Sequence, residues 1–120
     1  MNRRVIAAVS DMLFASKIRG TAEQLNVSVD FARTEEGFFN YAKAETPSLF
    51  ILDLHDTRLD PFALAARLKA DEQLRAVPVV AFFSHVETEL QRRAQEAGVE
   101  HVLPRSVFTR RLAEILTGDI

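Results

Sequence analysis

Asp53 closes the apolar run SLFILDL (48–54), and Asp11 follows directly on RVIAAVS (4–10). A carboxylate in either place must be solvated, neutralised or used. Two carboxylates close together repel each other and favour a cation between them. A hard divalent ion such as Mg2+ takes one or two carboxylates, a backbone carbonyl and several waters. An aspartate held beside such an ion attacks a phosphoryl group and becomes an aspartyl phosphate, because the ion offsets charge on the transferring oxygens. The plainer alternative is that Asp11 caps a helix and Asp53 caps a loop, a frequent use of aspartate.

Whether the two acids meet depends on the elements that carry them. Five apolar runs, 4–10, 27–32, 48–54, 77–84 and 99–104, are too short for helices and read as strands. Three are almost continuously apolar, as expected of parallel strands covered on both faces. Helix-period segments lie between them. Phe14, Ile18, Ala22 and Leu25 form one apolar stripe over 12–25. Thr34 caps a helix over 35–45, with Glu35 and Glu36 at its positive end and Phe38 and Ala42 facing inward. Asp60-Pro61 opens a third helix with a cap and a first-position proline. Val86, Leu90, Ala94 and Ala97 stripe a fourth over 86–97, stopped by Gly98, and Phe108, Leu112, Ile115 and Leu116 stripe the last.

Strict alternation of the two kinds predicts an α/β fold: a flavodoxin-like, doubly wound three-layer sandwich around a five-stranded parallel sheet of order 2-1-3-4-5. Ligands of such sheets bind beyond the carboxyl ends of the strands, at the switch point between the first and third. Asp11 and Asp53 are expected to face each other there.

The 120 residues, 48% hydrophobic, suit a single domain over 1–120 with no attached output domain. Fifteen basic against seventeen acidic residues, net −2, speak against nucleic-acid or membrane partners. The absence of cysteine excludes disulfides and thiol nucleophiles. In MNRRVIAAVSDMLF, Ser10 and Asp11 interrupt the apolar run before a signal-peptide or membrane-spanning length, so a cytoplasmic location is expected.

Competing motifs are weaker. DLHDT nearly spells the D-x-D-x-T loop of aspartate-nucleophile phosphatases, but His55 stands where the second acid belongs. SDMLFASK has no glycine with which to cradle a flavin phosphate. His55, His85 and His101 follow or sit on different strands without metal-site spacing. Arg92-Arg93 and Arg110-Arg111, on the polar faces of the last two helices, are interaction candidates.

VIAAVSDMLF (5–14), PSLFILDLHDTRLDPFALAARLKADEQLRAVPVVAF (47–82) and AQEAGVEHVLPRSVFTRRL (94–112) resemble the response-regulator receiver domain over essentially the whole chain. The most specific part is D-L-x-x-x-x-x-D at 53–60, L-K-A-D at 68–71 and P-V-V at 78–80. The resemblance implies a domain of two-component signalling that accepts phosphate from a histidine kinase on Asp53. It would signal through the surface of its fourth helix, fifth strand and last helix. It also implies metal ligands: Asp11, Asp53 and the backbone carbonyl of His55.

Position by position, much of the family's machinery differs. Ser10 replaces the first of two customary acids, Thr57 a proline and Pro61 a glycine, while Asp60 keeps a helix-capping acid. The hydroxyl expected after the fourth strand aligns with Phe83; Ser84 comes one residue later, on the other face unless the strand bulges. Arg105 replaces the customary lysine, Ser106 the proline after it and Val102 the switching aromatic. Losing one carboxylate removes roughly 1 to 4 kcal/mol of attraction for a nearby unit charge, so a weakened Mg2+ site is expected. The expectation is therefore a non-enzymatic interaction module with a degenerate phosphorylation site, monomeric or weakly homodimeric, meeting a histidine kinase or a downstream target. The alternative is a working Mg2+-dependent phosphoacceptor that phosphorylates itself on Asp53, with Ser84 and Arg105 as substitutes.

Overall fold

The computed structural model of the chain describes residues 3–84 and 88–119. Its elements are β1 (Arg4–Ala8), α1 (Met12–Gln24), β2 (Ser28–Phe31), α2 (Glu35–Ala44), β3 (Leu49–Asp53), α3 (Pro61–Ala70), β4 (Val79–Phe83), α4 (Thr88–Glu96), β5 (His101–Pro104), α5 (Arg105–Arg110) and α6 (Leu112–Thr117). The strands form one parallel sheet in the order β2-β1-β3-β4-β5, as the alternation predicts. Ala8 pairs with Leu52, and Asp53 with Phe82. The acid therefore leaves the sheet level with the end of β4.

Alternation along the strands sorts their side chains onto two faces. Ile6, Ala8, Phe50, Leu52, Val79, Ala81 and Phe83 pack with residues of α2, α3 and α4. Val5, Ala7, Leu49, Ile51, Val80 and Phe82 pack with residues of α1, α5 and α6. Both faces of the central strands are thus dry, which is why β3 and β4 read as unbroken apolar runs. Phe14, Phe82 and Phe108 bring their rings within 4.8–5.7 Å of one another, tying α1 and α5 to the centre of the sheet.

Helix ends follow the sequence signals. Thr34 Oγ1 accepts the Gly37 amide at 2.9 Å, and Asp60 Oδ1 accepts those of Phe62 and Ala63. Gly98, at φ +93, ends α4: its amide reaches Gln95 O, and that of Val99 reaches Ala94 O, the paired bonds of a Schellman motif. One expectation changes. The last helix is two pieces, α5 and α6, because Arg111 departs from helical geometry (φ −102, ψ 13), although its amide still bonds Val107 O. Val86, expected on the fourth apolar stripe, and His85 lie outside the described residues.

Candidate functional site

Asp53, the last residue of β3, is only 5% exposed. Its Oδ1 accepts the His55 amide at 2.9 Å, so the side chain itself turns the backbone out of the sheet. Burial pushes its pKa up; the His55 amide opposes this, the Asp56 charge adds to it, and Arg105 pulls back down.

Asp11 stands where the chain leaves β1 and enters α1. Its Oδ1 accepts the amides of Leu13 (3.0 Å) and Phe14 (3.1 Å), so it is the helix cap. Its Oδ2 accepts Arg105 Nη2 at 2.9 Å. The Phe14 amide and the Arg105 guanidinium hold its carboxyl below the ordinary range. The same guanidinium lies over the Phe14 ring, 4.1 Å from its centroid, which fixes it at the mouth of the crevice.

A second arginine enters from the β3–α3 connection. Arg58 Nη2 donates to the carbonyl of Val9 at 2.7 Å and lies 3.8 Å from Asp56 Oδ2. Asp56 is buried; its Oδ1 accepts the Arg58 amide at 2.8 Å, and its Oδ2 has no hydrogen-bond partner among the described residues. The acid that acts on Asp53 is thus Asp56, with Asp11 turned to its cap and to Arg105.

No family model matches the chain, and no curated protein does. Solved structures match along its length. The chemotaxis response regulator CheY4 of Vibrio cholerae is 13% identical with TM-score 0.85, all of each chain being covered. The phosphorylated cyanobacterial phytochrome response regulator RcpA is 19% identical with TM-score 0.81, over 98% of this chain and 91% of that one. The Mn(2+)-bound form of the response regulator Rcp1 is 15% identical with TM-score 0.76, over 97% and 90%. The fold is that of a response-regulator receiver domain.

Within this receiver fold the carboxylates expected at the site are engaged with the protein itself. Both oxygens of Asp11 and Oδ1 of Asp53 already accept hydrogen bonds. Among the described residues no three His, Cys, Asp or Glu side chains gather as a metal site. The carboxylate of Asp11, an expected metal ligand, is masked by the Arg105 guanidinium, which a divalent ion would have to displace. His55 is half-buried at the turn after Asp53, its amide committed to that carboxylate. Ser84 is exposed just beyond β4, and among the described residues it makes no hydrogen bond to Asp53. Phe83, 2% exposed, is buried on the α2–α3–α4 side, where Val102 packs against the same cluster.

The sequence reading overlooked Asp56 and Arg58. Their signal is the spacing in LHDTRL: Leu54 and Leu59 are both buried, so the segment between them folds back on the sheet and carries Asp56 inward while Thr57 and Arg58 stay exposed.

Proposed function

We propose that the chain is a receiver-type module of two-component signalling with a degenerate phosphorylation site around Asp53. It acts by binding a signalling protein, a histidine kinase or a downstream target, through its α4–β5–α5 face. The observation that carries this reading is the Arg105–Asp11 pair at 2.9 Å, which uses both the expected phosphate-facing cation and the expected metal ligand on each other. Phe83 and Val102 add to it, because a buried phenyl ring and a valine offer neither the hydroxyl nor the mobile ring that would report a phosphoryl group to that face. Arg110 is exposed there and makes no ion pair among the described residues, whereas Arg92 is held by Glu89 and Glu96. No reaction beyond phosphoryl uptake at Asp53 belongs to the proposal. The proposed setting is the cytoplasm; among the described residues no helix is long and apolar enough to cross a membrane.

A second reading, a working phosphoacceptor, is favoured by Asp53 Oδ2, which accepts no hydrogen bond among the described residues and keeps its lone pairs for attack. In that reading Arg105 must leave Asp11.

Amide NMR during addition of Mg2+ and then beryllofluoride, with Asp53→Asn as control, separates the two. A folded spectrum that does not respond supports the degenerate site. Saturable shifts at Asp11 and Asp53 that spread to α4 and α5 overturn it in favour of the second reading.

A further inference from the structure

Between α1 and the β2–α2 connection lies a cavity of about 70 Å³ that the proposed docking face does not use and that shares only Val9 and Arg58 with the surroundings of Asp53 described above. Arg19, Arg33 and Arg58 line it together with Ser16, Met12 and Phe31, and no acid lines it. Arg58 already faces Asp56 Oδ2 at 3.8 Å, whereas Arg19 and Arg33 make no ion pair among the described residues, so the cavity keeps two positive charges that repel each other unless something negative joins them.

The local acids are engaged elsewhere. Asp30 pairs with Arg4 at 3.3 Å and Glu35 with Arg67 at 3.0 Å, so neither neutralises Arg33. Two of the three arginines are also held in place. The Arg58 guanidinium is anchored on the Val9 carbonyl, and that of Arg19 lies 4.7 Å from the centroid of the Phe31 ring. Held guanidinium groups lose little freedom when they bind an oxyanion, and their planar forks match tetrahedral oxygens. The Ser16 hydroxyl supplies a further donor on the same wall.

We propose that this cavity binds a phosphate-type dianion, either free phosphate or the phosphoryl end of a small monoester. Its volume admits one tetrahedral group, and the exposed Met12, at 71%, offers an apolar rim for what a monoester carries. The site shares Arg58 with the surroundings of Asp53, but Asp53 does not line it and no phosphoryl transfer is needed, so it stands whichever reading of that residue holds.

The test is amide NMR at constant ionic strength, titrating inorganic phosphate in one arm and glycerol 3-phosphate in the other, in wild type and in an Asp53→Asn background. Saturable shifts at Val9, Ser16, Ala32 and Arg33 are expected in both backgrounds. Affinity should fall by about tenfold or more in Arg19→Ala and in Arg33→Ala, each removing a charge-assisted pair, and stay unchanged in Arg75→Ala, an exposed arginine that does not line the cavity. Tighter binding of glycerol 3-phosphate supports a monoester as the ligand; tighter binding of inorganic phosphate supports free phosphate. Shifts that grow without saturating, or that survive both arginine substitutions, overturn the proposal.

Discussion

Arg105 Nη2 meets Asp11 Oδ2 at 2.9 Å, joining the first residue of α5 to the cap of α1 beyond the carboxyl ends of the strands. Ninety-four positions separate the two, so the pair exists only because the sheet order puts β1 and β5 on opposite sides of β3 and β4, with α1 and α5 on the same face. It gives the crevice an internal cation. Any other cation must compete with a guanidinium that is hydrogen-bonded, ion-paired and stacked on Phe14.

Removing that competitor has a defined effect. Arg105→Ala is expected to raise the Asp11 pKa towards its ordinary value, since Arg105 is among the groups that lower it. It should also strengthen Mg2+ binding several-fold, on the order of the change produced by unmasking one carboxylate. Calorimetric Mg2+ titration of both proteins checks this. Equal or weaker binding by the variant would show that Arg105 does not block the site.

Asp53 carries its own pH signature. Its folded pKa lies above the unfolded one because of burial, so between those two values the folded state binds more protons. Stability attributable to this residue therefore falls as pH rises through that window, and above it the buried charge stays a burden. Asp53→Asn should accordingly unfold at higher urea than wild type at neutral pH. Asp56→Asn, which removes a charge that raises the Asp53 pKa, should lower it; Arg105→Ala should raise it further. Carboxyl 13C shifts followed against pH report each direction, and a shift of opposite sign in either variant contradicts the electrostatic account. Asp11 behaves inversely: its depressed pKa contributes stability that is present above the unfolded value and is lost as pH falls through the folded one.

Phe83 tests whether the end of β4 is core or switch. Its ring is buried in the cluster shared with Leu54, Leu64 and Ala94. Phe83→Ala should cost about 3–5 kcal/mol in urea unfolding, the usual price of a large buried truncation. Phe83→Thr should also destabilise strongly, because it places an unpaired hydroxyl in an apolar layer. A loss below about 1 kcal/mol for the alanine variant would mean that this end of β4 relaxes as a mobile switch does.

The parts of this arrangement that are local were legible in the sequence. Strand runs such as SLFIL, caps such as Thr34 and Asp60, and the stop at Gly98 depend on neighbours within a few positions, and each stands where its pattern put it. The expected strands overran by a residue or two, since apolar character continues past the last ladder bond, as at Val9 and Val77. What the sequence did not show is which charge answers which. Asp11 to Arg105 and Arg58 to Val9 are long-range pairings, and a lone arginine in a loop carries no mark of the carbonyl it will reach. Alignment to a family placed Arg105 beside a phosphate; its own reach and planar fork placed it on Asp11.

Two glycines in helical contexts should respond oppositely to the same substitution. Gly20 sits mid-helix in α1, and a Cβ there meets nothing within 4 Å. Gly20→Ala should therefore stabilise by about 0.5–1 kcal/mol, because alanine surrenders less backbone freedom on folding. Gly98 holds φ +93 at the end of α4, and its Cβ would come within 2.8 Å of Lys69 Cγ. That side chain cannot simply swing aside, since Lys69 Nζ donates to Arg75 O and Val77 O at 3.1 Å each and pairs with Glu100. Glu100 Oε1 in turn accepts the Val79 amide at the start of β4, so displacement of Lys69 is felt at the sheet. Gly98→Ala should lose the roughly 1–2 kcal/mol of a left-handed residue, and more through Lys69. Urea midpoints with unchanged slopes measure both. A Gly98→Ala protein as stable as wild type would show that the α4–β5 turn refolds around the methyl group, and the Lys69 clamp would not be what secures that turn.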